Sequence, residues 1–209
     1  MKYQREFWTW FERNATRFRD VEVPEKESLL DELQEALHCY CPHLWFETGR
    51  ADDGTNELII SAEGDRSYFS AVRTLVAAAP KVPGWRFIAF KPGCGFEFDT
   101  VYEGVTFSPK ATWFLPLRSK SDPLSLGVRV GYAHFDQARE QIFATGTFIM
   151  LECALGELAL AESVQHIEVV ALPSSPESSG YLPLPELSNW LQGAVSDEEL
   201  KANPLRGPA

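Results

Sequence analysis

No stretch of the 209-residue chain runs to the ~18 consecutive apolar residues a membrane-spanning helix needs, so no transmembrane segment is expected. The opening Met1-Lys2-Tyr3-Gln4-Arg5-Glu6 has neither an apolar run nor a small-residue cleavage site, and no secretory signal is expected. Cysteine is scarce. Cys39, Cys41, Cys94 and Cys153 do not make the spacing of a disulfide framework, and reduced thiols in a cytosol are the simpler reading. The glycine-rich piece Pro92-Gly93-Cys94-Gly95 lacks the third glycine and the following helix of a dinucleotide or phosphate loop. There is no G-x-S-x-G elbow. Bases are short too: 19 Lys and Arg stand against 30 Asp and Glu, for a net charge of −11. Such a field repels nucleic acid and anionic lipid, which bind through cations on phosphate.

What is present suits an ordinary folded domain. Hydrophobic residues make up 44% and charged residues 23%, so the chain can bury a core without a metal or disulfide staple. Fourteen Phe and six Trp point to a core built on aromatics. The charge is uneven. Residues 1–120 carry 18 acids and 15 bases, whereas residues 121–209 carry 12 acids and 4 bases.

Phe7, Trp8, Phe11 and Phe18 recur at spacings that place them on one helical face. Pro24 and Glu25 open a second helix, with Leu29, Leu30, Leu33, Ala36, Leu37 and Tyr40 as its apolar stripe and Pro42 as its stop. Leu44-Trp45-Phe46-Glu47 reads as a short strand, Asp52-Asp53-Gly54 as a turn and residues 57–62 as a buried strand. A helix over about 67–79 then leads to a strand over 85–90, the length of one crossover between parallel strands. From Gly93 to Val130, short runs punctuated by Gly and Pro predict an antiparallel meander, with Phe96 and Phe98 alternating with Glu97 and Asp99. Residues 142–160 are the longest apolar run, read as a buried helix ending near Gly156, and residues 164–172 close as a strand. The Pro/Ser-rich run 173–180 is a loop by composition, residues 185–191 a short helix anchored by Trp190, and Ser196-Asp197-Glu198-Glu199 a capping box. No internal repeat is visible. The expected fold class is α+β: a mixed β-sheet with packed helices, one βαβ crossover unit followed by an antiparallel meander. Residues 1–172 are expected to form a single domain, and 173–209 a loop, short helices and a frayed tail.

Several constellations invite a chemical reading. His38-Cys39-Tyr40-Cys41-Pro42-His43 offers soft ligands, yet C-x-C is tighter than the usual metal spacing and no second pair follows. Its place at a helix end suits core cysteines and a helix-terminal histidine, so no metal or other cofactor is expected. Cys94 would need His134 or His166 to become a nucleophile, and nothing in the sequence brings them together. Glu97 and Asp99 would share one side of a strand, which reads as a solvated face. Glu152, between Leu151 and Cys153 in the apolar helix, either lies on a polar edge or is a buried acid in need of a partner.

Three stretches together resemble a group of bacterial proteins for which no activity is established: Phe7-Trp8-Thr9-Trp10-Phe11 with the Leu29–Leu33 segment; Asn56–Gly64 with Val76–Pro80 and Trp85; and Leu155-Gly156-Glu157. The resemblance covers roughly residues 7–172. It implies a bacterial cytosolic protein that keeps one compact fold, and no reaction.

Acidity, small size and the lack of a catalytic set lead to the expectation of a non-enzymatic, cytoplasmic protein-binding module. Its concrete form is an immunity protein that neutralises a secreted bacterial toxin, such as a nuclease effector, by charge complementarity. The expected partner is a basic protein, not nucleic acid or membrane. The contact residues named from charge and loop position are Asp52, Asp53, Asp122, Glu177, Asp197, Glu198 and Glu199. The alternatives are an enzyme of unrecognised type, with Glu152, His134 and Cys94 to test, or a regulator of an endogenous nuclease.

Overall fold

The computed structural model describes residues 2–18, 23–118 and 126–193. Contacts divide the chain into two compact units, Met1–Lys91 and Pro92–Ala209.

In the first unit the aromatic spacing becomes helix α1 (Lys2–Asn14), which buries Phe7, Trp8 and Phe11. Phe18, in the 3-10 turn that follows, stacks on Phe11 at 5.9 Å. Helix α2 (Val23–Tyr40) buries Leu29, Leu33 and Leu37 at successive turns of one stripe, each 1% exposed or less. Burying each is worth ~1.5–3 kcal/mol, far more than the helix propensity of any one residue. Strands β1 (Trp45–Arg50) and β2 (Asn56–Ser61) form an antiparallel hairpin. Helix α3 (Phe69–Ala77) then carries the chain to β3 (Trp85–Ala89), which lies parallel to β2. This is the crossover the sequence predicts. Leu58 and Ile60 of β2, both fully buried, share a sheet face with Phe87 of β3, whose ring meets Trp8 at 4.5 Å and Phe11 at 5.3 Å. Trp8 Nε1–H donates to the Leu75 carbonyl at 2.9 Å and the Tyr40 hydroxyl to the Ala71 carbonyl at 3.0 Å, so α1 and α2 are both pinned to α3.

The second unit opens with two hairpins in separate sheets. Strands β4 (Thr100–Tyr102) and β5 (Val105–Phe107) pair alone, while β6 (Trp113–Arg118) pairs antiparallel with β7 (Leu126–Tyr132). Helix α4 (Glu140–Leu155), broken at Gly156 from α5 (Glu157–Ser163), leads to β8 (His166–Ala171), parallel to β7. A short β9 (Leu182–Pro183) closes the order β8-β7-β6-β9 by covering Trp113 and Phe114 of β6. Pro116 lies beyond the covered part of β6, in keeping with the edge positions a residue without a donor tolerates. The core of this unit gathers Phe107, Phe114, Val128, Val130, Phe143, Met150 and Leu151, together with Leu184, Leu187 and Leu191 from the stretch after residue 180.

The α+β class is therefore what the chain forms, with a second crossover, β7–α4–α5–β8, that the sequence reading does not contain. The two units share a connectivity. In each, an antiparallel hairpin is followed by a helical crossover to a third strand parallel to the hairpin's second.

One local expectation fails. Residues 93–99, read as the first strand of the meander, pair with no strand. The segment instead docks on the end of α4: Cys94 N–H donates to the Cys153 carbonyl at 2.9 Å and Gly95 N–H to the Ala154 carbonyl at 3.1 Å. These carbonyls belong to the last turn of a helix, where no intrahelical donor reaches them. A Cβ at Gly93 would stand 2.6 Å from the Leu155 carbonyl carbon, so only glycine allows the approach. The alternation of Phe96 and Phe98 with acids reflects packing of the two rings against the core, not a strand.

Candidate functional site

Of the acids named from the sequence, Asp52, Asp53 and Glu177 lie in the described structure; Asp122, Asp197, Glu198 and Glu199 lie outside the described residues. Asp52 and Asp53 occupy the β1–β2 turn and are exposed. Asp53 is already engaged. Its carboxylate accepts from Thr55 N–H at 2.9 Å and pairs with Arg86 Nη2 at 3.2 Å, while Arg86 Nη1 holds Glu57 at 2.9 Å. The bond from Thr55 is the leading reason the Asp53 carboxyl is held below its ordinary range, and Arg86 adds to it. Of the pair, Asp52 has the freer charge. Glu177 begins an exposed 3-10 turn over Glu177–Ser179.

A denser group of acids, only partly visible in the sequence, surrounds the β4–β5 hairpin. Asp99 precedes β4, and Glu103 sits at the hairpin turn with φ +49°. Arg139 Nη2–H donates to the Glu103 carbonyl at 2.6 Å, tying that turn to the 3-10 turn Gln137–Arg139 in front of α4. The exposed carboxylates of Glu103, Asp136 and Glu140 thus come from two segments joined by one bond. Val101, 69% exposed, stands between Asp99 and Glu103. Glu97 is matched by Lys110, which raises the Lys110 pKa through their hydrogen bond. Chain neighbours alone cannot reveal this grouping, because residues 103 and 139 meet through the fold.

The residues weighed for catalysis are not brought together. Cys94 Sγ–H donates to the Cys153 carbonyl at 3.2 Å. The His134 ring rests on Tyr132 and Phe143, and His166 pairs with Glu168 at 3.2 Å. Glu152 resolves to the buried acid, at 9% exposure, and Glu157 at the start of α5 is more buried still, at 1%. Both are partnered. In the His38–His43 segment the rings diverge: His38 meets Trp45 edge-on at 5.8 Å, and His43 stacks on Tyr68 at 4.2 Å. Among the described residues no three His, Cys, Asp or Glu side chains converge on a point. None of the described helices is long and apolar enough to cross a membrane.

Titration is perturbed mainly at ion pairs on the surface. Arg129 of β7 donates to Glu168 of β8 at 2.6 Å, and with His166 it holds the Glu168 carboxyl below the usual range. Arg17 grips both oxygens of Glu32, at 2.6 and 2.8 Å, and lowers it likewise. Burial pushes the Tyr132 phenol up, against the opposing effect of its hydrogen bond to Thr147. No family model, curated protein or solved structure matches this chain.

Proposed function

We propose that the protein is a non-enzymatic binding module that presents carboxylates to a basic protein, in the manner of an immunity protein neutralising a secreted bacterial toxin. The observation that carries the reading is the placement of charge. The second unit holds 15 acids against 7 bases, a net −8, while the first holds 15 against 12, a net −3. Exposed carboxylates around the β4–β5 hairpin, with exposed Val101 among them, suit a cationic surface that also offers an apolar contact. Such a field steers encounter within a screening length of ~10 Å at 0.1 M salt, so it acts on the association rate first. A nuclease effector, whose cleft is built to hold phosphates, is the first partner class to test. A regulator of an endogenous nuclease would use the same surface, and the identity of the partner separates the two.

Tagged protein is used to capture partners at low and then moderate salt. The expected result is one stoichiometric basic protein, lost as salt rises. Its association rate should fall when Glu103, Asp136 and Glu140 are changed together to glutamine or asparagine. A partner indifferent to both salt and these changes would overturn the reading, and so would the absence of any partner under both conditions.

A further inference from the structure

The first unit contains a cleft of opposite character. A space of about 370 Å³ opens where the first half of α2 passes over the end of the β1–β2 hairpin. Its apolar walls are Phe18, Leu29, Leu30 and Trp85, and its polar rim is Thr48, Arg50, Asn56 and Lys26. That volume suits a small organic ligand. The aromatic walls are fixed: Phe18 and Trp85 meet edge-on at 5.7 Å, and both rings also pack on Phe11. Arg50 is held in place, its Nε–H donating to the Gly54 carbonyl at 3.2 Å, which leaves the rest of the guanidinium to a ligand.

Two cations stand at the rim, Lys26 from α2 and Arg50 from β1. Acids outnumber bases 30 to 19 in this chain, and its cations are repeatedly neutralised: Arg17 by Glu32, Arg86 by Asp53 and Glu57, Lys91 by Glu47 and Glu63, Lys110 by Glu97, Arg129 by Glu168. Lys26 and Arg50 are exposed, and neither has a carboxylate within ion-pair distance among the described residues. Two cations with no carboxylate partner among the described residues, beside a packed aromatic wall, make a site for a charge-assisted hydrogen bond at one end of a ligand and ring contact at the other.

We infer that this cleft binds a small organic carboxylate with a planar apolar body, with Arg50 and Lys26 holding the carboxylate and Phe18 and Trp85 the ring. The site is independent of the acidic surface of the second unit, and either can fail without the other. The test is calorimetric titration of the full chain with 2-naphthoate, with neutral 2-naphthamide and inorganic phosphate as comparison probes and amide-shift mapping of the bound state. The expected result is saturable 1:1 binding of 2-naphthoate that shifts Thr48, Gly49, Arg50 and Asn56. Affinity should fall roughly tenfold or more in Lys26→Gln and Arg50→Gln, the loss of one charge-assisted contact, and stay unchanged in Lys81→Gln, an exposed base outside the cleft. Lys26→Gln keeps the test sound should Arg50→Gln loosen the β1–β2 turn. Equal binding of 2-naphthamide would overturn the role of the cations. Equal binding of phosphate would overturn the role of the aromatic wall. Shifts elsewhere, or no saturable binding, would overturn the site.

Discussion

Gly146, in the middle of α4, has no side chain, and the Phe107 ring of β5 occupies the space where one would be. A Cβ at this position would overlap the ring, and Phe107 is fully buried between Tyr132 and Phe143. Gly146→Ala improves helix propensity by ~1 kcal/mol, but overpacking of a closed core costs ~1–3 kcal/mol. The clash is with a ring that has nowhere to go, so the expected outcome is net destabilisation, read as a lower midpoint in urea with an unchanged slope. Tyr132 makes a second residue-scale case. Its buried hydroxyl lies 2.7 Å from Thr147 Oγ1, which also donates to the Phe143 carbonyl at 2.6 Å. Tyr132→Phe removes one bond and leaves Thr147 its other partner, so a loss of about 1 kcal/mol is expected in the same measurement. Neither contact is legible in the sequence. Gly146 looks like any glycine in an apolar run, and it is the partner 39 residues earlier that gives it meaning.

At the scale of elements, periodicity was informative wherever one face of an element meets a core. The stripe Leu29, Leu33, Leu37 and the aromatic set Phe7, Trp8, Phe11 are buried as their spacing requires, and the apolar run of α4 ends at Gly156. The pattern misleads at 93–99, where two phenylalanines alternate with acids without a neighbouring strand. There the last-turn carbonyls of α4 provide the partners that a ladder would otherwise supply. Sheet partners were the least legible, since a parallel neighbour lies a whole helix away in the chain. The β7–β8 pair illustrates this: Arg129 stands opposite Glu168, and their ion pair, half-exposed, spans the ladder. Glu168 has a depressed pKa in the fold, so its contribution to stability is present above the unfolded value of about 4.3 and is lost as pH falls through the folded value. Glu168→Gln should cost ~0.2–1 kcal/mol near neutral pH, as for an exposed pair, with the difference from the parent vanishing once pH falls below the depressed folded value. Paired thermal melts across that range provide the check. A gap that persisted in acid would assign the effect to packing.

For the whole molecule, composition made the net charge legible but not its groupings. The division after Lys91 separates a nearly balanced unit from a strongly acidic one, and the acids around the β4–β5 hairpin are joined by the Arg139 bond rather than by sequence. The meeting of Lys26 and Arg50 at one cleft was equally hidden, because residues 24 apart in sequence reach it from a helix and a strand. The shared connectivity of the two units was hidden as well, since no residue pattern repeats with it. It has a consequence in time. Five residues separate β1 from β2 and seven separate β6 from β7, whereas 23 lie between β2 and β3 and 33 between β7 and β8. Closing the longer loops costs more entropy before any ladder bond rewards it, and each must first form a helix to return its strand. Pulsed hydrogen exchange during refolding should therefore find amides of both hairpins protected before those of β3 and β8. The strand after each crossover would be sheltered later than the hairpin, leaving β2 and β7, the most buried strands of their sheets, each with one open edge until it arrives.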